Sequence, residues 1–126
     1  MKLSQLYTRQ AANEGRRLEI PLPDGRPSGE WLHVLHSDSD AFRAKHADVM
    51  ARAAQLPPDT AQDERKRLLD AAMLELLASM VSDWSLEDEF SETAVIDLLR
   101  NAPYIHDWLD RKTSDASLFF GKTSTN

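Results

Sequence analysis

The chain has no cysteine, and that single absence removes disulfides, thiolate nucleophiles and zinc–thiolate sites together. It also agrees with a reducing, cytoplasmic setting. Glycine is scarce, four in 126 residues, and none frames a serine as the strained nucleophile turn of serine hydrolases requires. No stretch approaches the ~18 uninterrupted apolar residues of a membrane span. The opening Met1-Lys2-Leu3-Ser4-Gln5-Leu6 carries one lysine and no long apolar run, so it does not read as a signal peptide. Positive charge is short as well. Residues 59–126 hold seven Lys/Arg against fourteen Asp/Glu, and the whole chain is -6. Phosphate neutralisation needs clustered cations, so a nucleic-acid duplex is a poor partner.

What the chain does have is a long apolar stripe. Leu68, Leu69, Ala72, Met73, Leu76, Leu77, Met80, Val81 and Trp84 recur at nearly every helical turn. The spacing predicts one amphipathic helix, capped by Asp59 or Thr60 and running through Trp84. Asp63 and Glu64 place negative charge where the helix dipole favours it.

The remaining elements follow from punctuation. Arg17 to Leu22 alternates like a half-buried strand, and Pro21 assigns it to a sheet edge because it cannot donate to a ladder. Pro23-Asp24-Gly25 signals a turn. A second strand then carries Trp31, His33 and Leu35 on one face, which makes a β-hairpin with a long tip, Asp24 to Gly29. Leu18, Ile20, Leu22 and Trp31 must rest on something apolar, since two strands alone are marginal. Ser37-Asp38-Ser39-Asp40 offers caps for a helix bearing Phe42, His46, Val49, Met50, Ala53 and Ala54 on one face. Leu56-Pro57-Pro58 stops it. Ser91 caps a helix to Asn101, Ala102-Pro103 breaks it, and a last helix runs from Pro103 to Lys112. The expected fold is mostly α (α+β): an N-terminal β-hairpin followed by about four helices. Residues 1–16 read as a flexible arm, 17–113 as one globular domain, and 114–126 as a tail.

Candidate chemistry is thin, and no catalytic residue, cofactor site or metal site is assigned. Gly121-Lys122-Thr123 resembles the end of a phosphate-binding loop, but Ala116 stands where the motif needs its first glycine. His33 and His36 would point to opposite faces of a strand. His106 and Asp110 could share a helical face, but two ligands make no zinc site, and a surface ion pair is the simpler reading. Glu87-Asp88-Glu89 lacks the glycine and closing glutamate of a calcium loop. No spacing singles out two carboxylates for acid–base work. The pair of helices across Pro103 suggests a helix-turn-helix, yet residues 86–112 hold seven acids against Arg100, Arg111 and Lys112. Among the aromatics, Trp84 and Trp108 read as core. Phe119 and Phe120 lie in a polar tail and read either as a partner site or as core.

The order of elements resembles a known family. The hairpin of Pro23-Asp24-Gly25 and Glu30-Trp31-Leu32-His33-Val34 precedes a long helix closing in Val81-Ser82-Asp83-Trp84. An acidic loop then leads to Ala94-Val95-Ile96-Asp97-Leu98-Leu99-Arg100-Asn101-Ala102-Pro103 and a helix with Ile105 and Trp108. Over about residues 17 to 120 this is similar to the tail assembly chaperones of long-tailed phages and prophages. The resemblance implies a non-enzymatic protein of the host cytoplasm that coats the tape-measure protein, keeps it soluble and gives way to tail-tube subunits. Self-association and, in many relatives, a frameshifted C-terminal extension that recruits the tube protein are implied in the same way. The residues expected to grip a client are Met73, Leu77, Met80, Leu118, Phe119 and Phe120, because methionine adapts to varied surfaces. A small bacterial protein–protein adaptor or regulator is the alternative function, and a DNA-binding regulator the less favoured one.

Overall fold

The computed structural model describes residues 1–121, so the Lys122-Thr123 part of the Gly121-Lys122-Thr123 motif lies outside the described residues. A 3-10 turn at Leu3–Leu6 leads to α1 (Arg9–Glu14), then to β1 (Arg16–Pro21) and β2 (Pro27–Val34). α2 (Asp40–Ala54) and α3 (Gln62–Ala78) follow, then β3 (Val81–Trp84), α4 (Glu92–Asn101), α5 (Pro103–Thr113) and α6 (Ala116–Phe120). The fold is mostly helical with an N-terminal antiparallel hairpin, as its patterning indicates.

The three strands form one antiparallel sheet in the order β1-β2-β3, which puts the proline-bearing β1 at an edge. β2 starts at Pro27, so the tip is shorter than the Asp24–Gly29 loop. It is closed by the Leu22 N–H on the Arg26 carbonyl at 2.7 Å and the Gly25 N–H on the Leu22 carbonyl at 2.8 Å. Register decides the faces. Leu18 pairs with Leu32 and Arg16 with Val34, so Leu32 and Val34, both fully buried, point at the helices. Trp31 therefore pairs with Glu19 on the outer face, where it stays half-buried with the Arg17 guanidinium 4.0 Å from its ring centroid. The expectation that Trp31 shares the apolar face of Leu18 and Ile20 is corrected by that register.

The largest departure from the sequence pattern is β3. The helix expected to reach Trp84 ends at Ala78, and Val81–Trp84 pairs with β2 instead. Val81 lies opposite Val34 and Trp84 opposite Leu32, with a register shift between His33 and Val34. The shift leaves β3 one residue longer than its partner stretch, so Val81 and Trp84 both face the core while Ser82 and Asp83 stay exposed. A bulged strand of this kind repeats every three residues, which mimics the helical spacing. The N-terminal cap of α3 is also different. Ala61 occupies it, because the Thr60 hydroxyl is spent donating to the Pro57 carbonyl at 2.6 Å.

One core joins the sheet to Leu77, Ala78 and Met80, to Val95 and Leu99 of α4, to Ile105 and Leu109 of α5, and to Phe119 of α6. Ser39 and Ser91 cap α2 and α4 as their sequence suggests, accepting from the Phe42 and Ala94 amides. The first sixteen residues, read as a flexible arm, contribute α1. Ala12 is fully buried, Arg9 forms a fork on Asp40 at 2.9 Å, and His33 Nε2–H donates to the Glu14 carbonyl at 2.6 Å.

Candidate partner-binding groove

Apart from Phe42, which packs against the main core, α2 and the first half of α3 stand off it. Of the fifteen residues of α2 only Val49 is buried, and Val49 is not part of the core cluster. The C-terminal half of α2 faces the N-terminal half of α3, an antiparallel pair set by the Leu56-Pro57-Pro58 stop. Between them lies a groove of about 420 Å³, walled by Val49, Met50 and Leu56 on one side and Leu68, Leu69 and Ala72 on the other. Met50 is 48% exposed, Leu69 59% and Met73, one turn beyond Leu69, 55%. Met50 and Leu69 line the cleft and Met73 is exposed beyond it, and clustered exposed apolar side chains mark partner sites. A wider hollow of about 780 Å³ is walled only by residues of the segment Tyr7–Glu14, so it is one-sided.

The groove is held from behind by charge. Arg52 forms a fork on Glu75, at 2.7 and 3.2 Å, and lies 3.3 Å from Asp48. The Glu75 hydrogen bonds raise the Arg52 pKa above its usual value, so the guanidinium stays charged, and Glu75 and Asp48 pair with it. Lys45 reaches Glu92 at 2.8 Å and Glu75 at 4.0 Å, tying α2 to α3 and α4. Its pKa is raised, chiefly by the Glu92 hydrogen bond. Arg65 differs: it donates to the Pro57 carbonyl at 2.9 Å and the Thr60 carbonyl at 3.3 Å, and pairs with no carboxylate among the described residues.

The six residues expected to grip a client fall in two places. Met73 lies on the exposed edge of α3. Leu77, Met80 and Phe119 are buried at 5%, 4% and 3%, and Leu118 and Phe120 pack against the same core. Phe119 and Phe120 stack edge-on against His36, whose Nδ1 accepts from the Asp38 amide at 2.9 Å. Sequence reasoning placed Met50, Leu68 and Leu69 on apolar faces without singling them out. Leu69 and Met73 lie on the same i, i+4 row as the buried Leu77, so spacing alone does not separate them; position along α3 does.

His106 Nδ1 meets Asp107 Oδ1 at 3.1 Å on the surface, rather than Asp110, and Trp84 Nε1 donates to the Asp88 carbonyl at 2.8 Å. No group of three metal-ligating side chains comes together among the described residues. Likewise, no described helix is long and apolar enough to cross a membrane. No protein-family model, curated protein or solved structure matches the chain.

Proposed function

We propose that this protein is a non-enzymatic assembly chaperone of a phage or prophage tail, acting in the host cytoplasm. It binds amphipathic segments of the tape-measure protein and releases them as tail-tube subunits arrive. One observation carries the reading: a 420 Å³ apolar groove lined by the exposed Met50 and Leu69, with Met73 exposed one turn beyond Leu69 on α3. An amphipathic helix laid in such a groove would bury its apolar face. Two methionines at the edge suit a client with many different segments, since the unbranched thioether re-packs at little cost. The acidic remainder of the surface, -6 over the chain, would keep the complex dissolved.

The test is co-expression with a fragment of the tape-measure protein encoded beside it. The fragment is expected in the soluble fraction with the native chain, and in the pellet with Met50→Asp/Leu69→Asp. Equal solubility with the native chain and the double variant would refute the assignment of the groove, and no gain with either would refute the function. The adaptor reading uses the same groove for one folded partner, and a stoichiometric complex with a protein unrelated to tails would favour it.

A further inference from the structure

The groove has a charged end as well as apolar walls. Nine residues line it, and the two charged ones are both arginines, Arg52 and Arg65; no carboxylate is among them. Arg52 is matched by Glu75 and Asp48, so it presents no unspent charge. Arg65 is positioned yet unmatched. Its guanidinium is seated on the carbonyls of Pro57, Pro58 and Thr60, which fix its direction without cancelling its charge. Of the acids nearby, Glu64 forms a fork on Arg67, while Asp59 and Asp63 form no ion pair with Arg65 among the described residues and do not line the groove. The neighbouring cations are likewise taken, Lys66 by Asp70 and Arg67 by Glu64.

On this basis, and resting on the reading of the groove as a client site, we propose that its occupant is a partner helix of defined chemistry. The helix presents apolar anchors over about two turns and carries a carboxylate that pairs with Arg65. The length follows from the α3 wall, Arg65 to Ala72, which spans about 11 Å of helix. The charge preference runs against the net -6 of the chain. Distance settles the conflict: the Debye length is about 8 Å at physiological salt, so the dispersed carboxylates are screened while a contact ion pair at the groove is not. A guanidinium already held in place loses little freedom on taking a carboxylate, and its planar fork fits one.

The experiment uses the full chain and three synthetic helical peptides with identical leucine anchors at i, i+4 and i+7. Their flanking residues are Glu, Gln or Lys, and binding is followed by fluorescence anisotropy at two salt concentrations. The Glu peptide is expected to bind about tenfold tighter than the Lys peptide at physiological salt, with Gln between, and the spread should shrink at low salt, where the net -6 of the chain is no longer screened. Arg65→Glu should reverse the order, whereas Arg65→Lys should keep it with a smaller spread. Because the salt response is read on the native chain, a misfolded variant does not remove the test. Equal binding of Glu and Lys peptides, or an order that Arg65→Glu leaves unchanged, would overturn the charge assignment alone. Binding of no peptide at all would overturn the groove reading with it.

Discussion

Trp84 lies directly across the ladder from Leu32, and its indole Nε1–H donates to the Asp88 carbonyl at 2.8 Å. The ring also packs edge-on against Phe90, with centroids 5.3 Å apart. One side chain thus joins the central strand to the acidic loop. Trp84→Ala should cost about 3–5 kcal/mol, the usual range for emptying an aromatic site in a core. Trp84→Phe keeps the ring contact and loses the hydrogen bond, about 1 kcal/mol. Urea titration distinguishes them: a midpoint that barely moves for Trp84→Ala would mean that β3 does not form.

Met73 and Leu77 are one turn apart on α3 and behave as opposites, 55% and 5% exposed. Leu77→Ala should cost about 2–5 kcal/mol. Met73→Ala should change stability by no more than about 0.5 kcal/mol, while weakening client binding. Thermal melts combined with the peptide assay check both. A Met73 variant that loses as much stability as the Leu77 variant would place Met73 in the core.

Gly15 joins α1 to β1 with φ +70°, and an added Cβ would drive into the Val34 carbonyl and sit 2.8 Å from Leu35 Cδ2. Strain and overpacking together should make Gly15→Ala cost about 2–6 kcal/mol. Gly25, at φ +90° in the hairpin tip, has open space around it. Gly25→Ala should therefore show the strain alone, about 1–2 kcal/mol. Equal losses for the two variants would remove the clash from the account.

Asp40 holds α1 through Arg9 and Asn13, and the Arg9 hydrogen bond lowers its pKa below the usual carboxylate value. A lowered folded-state pKa means the contribution is present above the unfolded value, about 3.9. It is lost as pH falls through the lower folded value. The protection of the Ala12 and Asn13 amides against hydrogen exchange, relative to their intrinsic rates, should therefore fall below pH about 4 in the native chain. Asp40→Asn should exchange faster at neutral pH already and lose the acid step. An acid step that persists in Asp40→Asn would point to another carboxylate.

Local signals carried much of the architecture. Ser39 and Ser91 cap helices because a short hydroxyl beside an apolar run can satisfy a free amide, whatever lies further away. Pro21 put β1 at an edge because a residue without an N–H cannot sit between two strands. The groove was half legible: Leu69 and Met73 were visible as apolar positions, but not as exposed ones.

The sequence by itself determined where α2, α4 and α5 start and stop, because capping and proline act over a few residues. Tertiary structure alone decided that Val81–Trp84 is a strand, that Trp31 faces outward, and that Leu77 is buried while Leu69 is not. Each of these depends on partners distant in the chain: β2 for the bulged strand, the Leu18–Leu32 register for the tryptophan, and the limited reach of the core for α3. Periodicity records that a side chain is apolar and on which face it lies. Whether that face meets the interior or waits for another molecule is set by the volume of protein available to cover it.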